Sequence, residues 1–148
     1  MPREALQRRK HILEQLGHEA HASRSSWSHD LGDAIVFDAW EDQWERDDRG
    51  ELLRYPLRTI NSGYSLRESQ GNPRPGHTRW QAHVDLVLAG KRRPRAILPV
   101  PVSPDDHGKK GAKGWRTMVV DGEVQTDQRG QAWLVAKQVT HLRPAGRA

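Results

Sequence analysis

Apolar side chains recur at helical spacing near the start of the chain. Over residues 2–16 they form one stripe, and the rest of the surface is charged. Pro2 suits a first helical turn and Gly17 a C-terminal stop. We therefore expect a helix in segment 1–17 that packs through this stripe on a larger body. Residues 18–33 have no clear period, which predicts an irregular linker.

The segment 34–57 alternates apolar and polar positions, which predicts a β-hairpin. Residues 47–50 (DDRG) have turn composition, and the second strand would be ELLRYPL. A helix is the alternative interpretation, because Phe37, Trp40 and Trp44 also fall at i, i+3 and i+7. The β-favouring start of the segment, IVF, favours the hairpin.

Residues 59–78 are rich in Gly, Pro, Ser and Asn, which predicts a long loop. Beyond it, apolar runs separated by turn-like residues predict further strands, with the dipeptide Asp121-Gly122 as one hairpin turn and TDQRGQ as another. Pro99 and Pro101 leave one side of their strand without N–H donors, which predicts a sheet edge. The predicted strands are WQAHVDLVLA, AILPVPV, WRTMVV, EVQT and AWLVAKQV.

Together these elements predict a single domain over residues 1–148 in the α+β class, mostly β. The N-terminal helix would pack on a strongly bent antiparallel sheet or small barrel of about six strands. The β-rich core is expected within 34–141, and residues 142–148 are expected to be a frayed tail.

Composition narrows the class of protein. The chain has 148 residues, which suits one domain, and it has no cysteine. Disulfides, thiolate nucleophiles and cysteine-ligated zinc are therefore excluded. No apolar run approaches the length of a membrane span, and the N-terminus lacks the apolar region of a secretory signal. We expect a cytoplasmic protein with no membrane partner and no cofactor.

Leu, Ile, Val and Phe fill fewer than a fifth of the positions, but six tryptophans can supply apolar volume. Tryptophan rings either fill a core or stack on nucleic-acid bases. We expect three or four of one set to be core and Trp115 to be the most exposed. The set is Trp40, Trp44, Trp80, Trp115 and Trp133.

The net charge of +5 conceals two oppositely charged segments. Residues 26–51 carry nine acids and two bases, whereas residues 52–117 carry thirteen bases and four acids. Either the fold has two differently charged surfaces, or the two segments pair with each other. In the first case the acidic hairpin within 30–51 could bind a basic protein partner.

Two basic loops form the first candidate site. A polyanion could bind both if the second loop folds back on the first, with a tryptophan as stacking face and glycines that allow close backbone approach. The alternative is that they are ordinary solvated turns. The residues are Lys91, Arg92, Arg93 and Arg95, followed by Lys109, Lys110, Lys113, Trp115 and Arg116.

A histidine-containing segment forms the second candidate site. On the predicted strand, Arg79, His83 and Asp85 share one face with Gln81, and His77 precedes them. Such a set could act as a general base beside a phosphate clamp or as a metal site, although the spacing matches no metal motif. The alternative is a structural pair between Asp85 and a histidine or arginine.

Three further histidines, His18, His21 and His29, lie in the predicted linker. They do not have the H-E-x-x-H zinc spacing, and we expect plain surface histidines and no metal site.

The sequence thus predicts a small basic nucleic-acid-binding domain, with DNA and RNA both possible as partner. The alternatives are a metal-dependent or histidine-based, nuclease-like hydrolase using the second site, and a protein-interaction module using the acidic hairpin.

Overall fold

The computed structural model describes residues 6–17, 27–58, 75–102 and 112–143, with only the backbone given for 75–78. The helices are α1 (Arg9–Gln15) and α2 (Pro75–Leu88), with a short 3-10 helix at Glu41–Gln43. The nine strands are β1 (Ser28–Asp30), β2 (Ala34–Asp38), β3 (Glu45–Arg46), β4 (Leu52–Arg58), β5 (Arg93–Ile97), β6 (Pro99–Pro101), β7 (Ala112–Trp115), β8 (Met118–Thr126) and β9 (Ala132–His141).

Seven strands form one open sheet in the order β1-β2-β5-β8-β9-β4-β3, and β6 pairs with β7 in a second, two-stranded sheet. The α+β, mostly β class is confirmed. The prediction of an antiparallel sheet is wrong in one respect, because β2 and β5 are parallel. The large sheet has seven strands, where about six were expected. The large sheet ends at β1 and β3 and is not a closed barrel. The prolines of β6 lie in a strand with a free edge, as predicted.

The predicted strand WQAHVDLVLA is wrong, because these residues belong to helix α2. Trp80, Val84 and Val87 are buried at helical spacing, i, i+4 and i+7. Parallel strands need a long crossover connection, and α2 lies in the chain between β2 and β5. Gly90, with φ of 74°, follows the helix in the left-handed conformation that commonly ends one.

The hairpin predicted over 34–57 is confirmed only around its turn, where β3 pairs with β4. Strand β2 is buried between β1 and β5, and three strands, β5, β8 and β9, lie between it and β4 in the sheet. The chain leaves β2 at Ala39, whose carbonyl accepts a hydrogen bond from Trp44 Nε1 at 3.2 Å. The Tyr55 hydroxyl accepts from the amide of Trp40 and donates to Gln43 Oε1, which fixes the 3-10 turn.

The hairpin turn predicted at Asp121-Gly122 is wrong, because β8 passes through both residues. The turn lies at 127–130, within the predicted TDQRGQ segment, and Gly130 has φ of 81°. Gly122 serves close packing instead: a Cβ there would overlap the carbonyl oxygen of Val135 on β9, where the register shifts.

The α2 face of the sheet carries the larger core cluster, which includes Phe37, Trp80, Val120 and Leu134. On the opposite face, Ile12 and Leu13 of α1 pack with Val36, Ile97 and Val119. A chain with few aliphatic residues thus buries both faces of its central strands, and tryptophan supplies much of the volume.

Three tryptophans are buried, as expected, namely Trp44, Trp80 and Trp133. Trp115, expected to be the most exposed, is only partly exposed and packs against the α1 cluster. The guanidinium of Arg9 lies 5.5 Å from its ring centroid.

The predicted N-terminal helix begins later than expected, at Arg9, and residues 1–5 lie outside the described part. The backbone of Gln7 donates a hydrogen bond to that of Trp115 and accepts one from it. Gln7 thus forms an isolated antiparallel bridge with the last residue of β7. Leu6 lies so close to Gly114 that a Cβ there would be 2.6 Å from Leu6 Cβ. The pairing with β7 therefore holds these residues out of the helix.

The predicted linker and the predicted C-terminal tail are both partly ordered. Within the linker predicted over 18–33, residues 28–30 form β1; residues 18–26 are outside the described part. In the predicted frayed tail, the amide of Leu142 donates to Thr117 O, and the carbonyl of Arg143 accepts from Gln15 Nε2. The long loop predicted over 59–78 is also outside the described part, except for 75–78, which begin α2.

None of the described helices is long and apolar enough to cross a membrane.

Candidate functional site

Strand β1 forms one edge of the large sheet, and its alternation divides its polar side chains between the two faces. Ser28 and Asp30 lie opposite Phe37 and Ile35, which belong to the core cluster on the α2 face. His29 lies opposite Val36 and therefore points to the α1 face. The short sequence SHD thus presents a hydroxyl and a carboxylate to helix α2.

Helix α2 meets this edge at His83. Ser28 Oγ lies 2.6 Å from His83 Nδ1, a short hydrogen-bonding distance. Ser28 is 1% exposed, whereas His83 is half-buried, so the imidazole joins a buried hydroxyl to the surface. We name the group formed by Ser28, Asp30, Arg79, His83 and Arg92 the α2–β1 site.

Burial lowers the pKa of His83 below its ordinary value of 6.5. The carboxylate of Asp30 opposes this shift, and the positive charge of Arg79 reinforces it, as do His29 and Arg92. His83 is consequently a neutral imidazole at neutral pH, able to accept a proton.

An ion pair closes the other side of the site. Arg92 Nε donates to Asp30 Oδ1 at 2.9 Å, and Nη2 reaches Oδ2 at 3.4 Å. The hydrogen bond from Arg92 holds the pKa of Asp30 below its usual value, with burial opposing and the Gly32 amide assisting. With Asp30 ionised and His83 neutral, two guanidiniums against one carboxylate leave the site with a net positive charge.

Because the second predicted site lies on helix α2 and not on a strand, different residues of it share one face. Arg79 and His83 remain neighbours, because they are one helical turn apart. Gln81 and Asp85 lie on another side, since residues two apart on a helix point away from each other. Asp85 is exposed, so the alternative of a structural pair buried in the core does not apply to it. His77 belongs to α2, but its side chain is outside the described part.

The first basic group, predicted to form a loop, lies after α2 and along β5, where acids pair with its arginines. Besides the Arg92–Asp30 pair, Arg93 contacts Asp33 at 3.2 Å, and Arg95 Nε donates to Asp121 at 2.8 Å. Lys91 is exposed.

The second basic group lies beyond the opposite end of β5. The amide of Arg116 donates to Leu98 O, one residue past that strand, whereas Arg93 begins it, so the two groups are separated by roughly 16 Å at strand rise. The side chain of Arg116 pairs with Glu41 at 2.9 Å, and Lys113 is exposed on β7. Lys109 and Lys110 lie outside the described part, so the described residues of the two groups form two surfaces rather than one.

The acidic and basic segments pair across the fold. Four ion pairs among the described residues join an acid of 26–51 to an arginine of 52–117. These acids are therefore engaged within the chain, which is the second of the two arrangements that the charge pattern allowed. The pairs are Asp30–Arg92, Asp33–Arg93, Glu41–Arg116 and Glu45–Arg54.

His29 is 3% exposed, and its expected surface position is wrong. Its Nε2 lies 3.3 Å from Asp38 Oδ1, and Arg9 Nη1 donates to Asp38 Oδ2 at 3.1 Å. This buried group ties β1, β2 and α1 together. His18 and His21 lie outside the described part. Within the described ranges, no three His, Cys, Asp or Glu side chains are placed to hold a metal ion.

A cleft of about 740 Å³ lies between the β3–β4 hairpin and the second half of β9. Its apolar lining includes Leu53 and Val139, which are 43% and 41% exposed, together with Leu98 and Met118. The Arg116–Glu41 ion pair belongs to its wall. The cleft is separate from the α2–β1 site, and sequence reasoning did not find it.

Ser28, Asp30 and the role of Arg92 were also missed by sequence reasoning. The alternation of Ser28, His29 and Asp30 before the apolar run of β2 was the one available signal. Comparison of the chain with protein-family models, curated proteins and solved structures finds no match.

Proposed function

We propose that the protein binds nucleic acid and that the α2–β1 site contacts the phosphate backbone. The observation that carries the proposal is the placement of Arg79 and Arg92 around a half-buried, neutral His83 at an open sheet edge. Guanidinium groups match phosphate oxygens in planar, paired hydrogen bonds.

The proposed contact is smaller than the basic composition suggests. Arg93, Arg95 and Arg116 are each held by an acid, and exposed Lys91 adds its charge next to Arg92. Arg92 is itself paired with Asp30, so it contacts a phosphate only by exchanging this carboxylate for it. Three phosphate contacts, by Arg79, Lys91 and Arg92, correspond to a slope of log K against log salt of about −2 for a single strand. A duplex would give a slope of about −3.

The test is the binding of fluorescent single-stranded and duplex oligonucleotides across a range of salt concentrations. The double variant Arg79→Ala/Arg92→Ala should flatten the salt slope by about one for each arginine removed. Its fold should survive, because the partly exposed Arg92–Asp30 pair contributes at most about 1 kcal/mol.

The matched control is Arg49→Ala/Arg129→Ala, which removes the same charge from two exposed turns. The control should bind almost as well as the parent chain. Absence of binding, salt-independent binding, or equal weakening by both double variants would overturn the proposal.

A further inference from the structure

The contact between Ser28 and His83 is more specific than backbone binding requires. We propose that His83 is the general base of an RNA-cleaving site and that Ser28 positions its imidazole. This inference rests on the proposed function, because the same site must first bind the phosphate backbone.

Burial decides the role of Ser28. At 1% exposure, its hydroxyl cannot reach a phosphorus atom of a bound strand, so it is not the nucleophile. Its Oγ instead holds Nδ1 of His83 at 2.6 Å, which fixes the orientation of the ring. The opposite ring nitrogen, Nε2, makes no hydrogen bond with the described residues, and it belongs to a half-buried side chain. Nε2 is therefore the atom that meets substrate.

The surroundings keep the imidazole in its basic form. Burial lowers the pKa of His83, and Arg79 and Arg92 add to the effect. Asp30 and His29, from β1, are the other titratable groups that act on it: Asp30 raises its pKa and His29 lowers it. A base that is already deprotonated at neutral pH can accept a proton in the first step of a reaction.

The source of the nucleophile points to RNA. Among the described side chains the site offers a base and two guanidiniums but no exposed hydroxyl, which points to the substrate as the source of the attacking oxygen. The 2′-hydroxyl of RNA adjoins the phosphorus that it attacks, and such intramolecular reactions have very high effective molarities. One base and cationic stabilisation of the phosphoryl oxygens then suffice.

The reaction is a transesterification without change of oxidation state. Nδ1–H donates to Ser28 Oγ, and Nε2 takes the proton of the 2′-hydroxyl as its oxygen attacks phosphorus. The bond from phosphorus to the 5′-oxygen breaks, and that oxygen takes a proton from water. The products are a 2′,3′-cyclic phosphate and a 5′-hydroxyl. Arg79 and Arg92 offset the charge on the phosphoryl oxygens, and the imidazolium returns its proton to solvent.

The experiment incubates the full chain with end-labelled RNA, with DNA of the same sequence, and with RNA that is 2′-O-methylated throughout. We expect cleavage of the unmodified RNA alone, also in the presence of EDTA. His83→Ala should reduce the rate by about 10²- to 10⁴-fold. His141→Ala removes an exposed histidine from β9 and should leave the rate unchanged. All variants are purified identically, so that contaminating ribonuclease would appear in every preparation.

A pH profile separates positioning from mere stability. The rate of the parent chain should rise with pH to a plateau, with a midpoint below pH 6.5, because deprotonated His83 is the active form and its pKa is lowered. Ser28→Ala should move the midpoint of this profile and lower the maximal rate by a larger factor than it weakens oligonucleotide binding.

Three results would overturn the inference: bound RNA that is not cleaved, equal cleavage of DNA, or a His83→Ala protein as active as the parent. Each leaves the salt-dependent binding test of the proposed function untouched, so the two failures are distinguishable.

Discussion

Ser28 Oγ and His83 Nδ1 meet at 2.6 Å although 55 positions separate the two residues in the chain. The contact joins the edge strand β1 to α2, the helix that precedes β5 in the connection between the two parallel strands. The α2–β1 site is therefore a product of the sheet order: the edge position of β1 leaves Ser28 and Asp30 within reach of the helix.

The protonation of His83 should respond to its neighbours in opposite directions. Its pKa, followed by the NMR shift of its ring proton, should lie below 6.5 in the parent chain. Arg79→Ala removes a repelling positive charge and should raise this pKa, whereas Asp30→Asn removes an attracting negative charge and should lower it further. Arg129→Ala, in the exposed turn between β8 and β9, should leave the pKa of His83 unchanged. Shifts of the same sign in Arg79→Ala and Asp30→Asn would contradict the electrostatic account.

Removal of Asp38 should destabilise the fold strongly. Its two oxygens contact His29 and Arg9 in a buried setting, where loss of one charged partner costs about 3–5 kcal/mol. Asp33→Ala is the control, because Asp33 is 74% exposed and its pair with Arg93 contributes less than about 1 kcal/mol. The measurement is the free energy of unfolding in urea. Equal losses in the two variants would show that the buried group does not stabilise the fold.

Gly122→Ala should destabilise the β8–β9 ladder. The added methyl group would overlap the carbonyl oxygen of Val135, and backbone cannot yield as a flexible side chain can. We expect a loss of about 1–3 kcal/mol in the free energy of unfolding. Glu123→Ala, at an exposed neighbouring position, should change it by no more than about 0.5 kcal/mol. An unchanged free energy of unfolding in Gly122→Ala would mean that β8 and β9 can move apart at the register shift to make room for the methyl group.

Asp127 should make the β8–β9 turn sensitive to acid. Its carboxylate accepts hydrogen bonds from Trp133 Nε1 and from the amides of Gln131 and Arg129. The Trp133 bond is the main cause that holds the pKa of Asp127 below 3.8. The stabilisation is therefore complete above pH 3.8 and is lost as pH falls through the lowered pKa.

Thermal unfolding at a series of pH values tests this. Asp127→Ala should lower Tm at neutral pH, and the gap to the parent chain should narrow below pH 3.8. Asp48→Ala, exposed in the 47–50 turn, should show no such gap. A gap that stays constant down to acid pH would contradict the role of the ionised carboxylate.

Strands bounded by turn residues were predictable from the sequence. Helix α2, in the crossover connection between β2 and β5, was not. In the run HVDLVLA, apolar residues follow one another so closely that strand and helix periods both fit. The tertiary structure decides between them, because only a helix lets Trp80, Val84 and Val87 cover the sheet. Asp121-Gly122 misled for another reason: its glycine permits close approach of two strands rather than a turn.

The candidate site was predictable only in part. Arg79 and His83 stand out from the sequence because they are close along the chain. Their relation to Ser28, Asp30 and Arg92 depends on which strand takes the sheet edge, and long-range pairing of this kind leaves no local pattern. The charge division between the acidic and basic segments was visible, but only the register of the strands shows which acid holds which arginine.

The central claim is tested most directly by mapping a bound oligonucleotide on the backbone amides by NMR. Addition of a short RNA to the labelled chain should shift the amides of residues 28–30, 79–83 and 91–92. The exposed turn at 127–130 and the cleft around Val139 should remain unchanged. Shifts confined to the cleft or to the turn, with none at the α2–β1 site, would contradict the account.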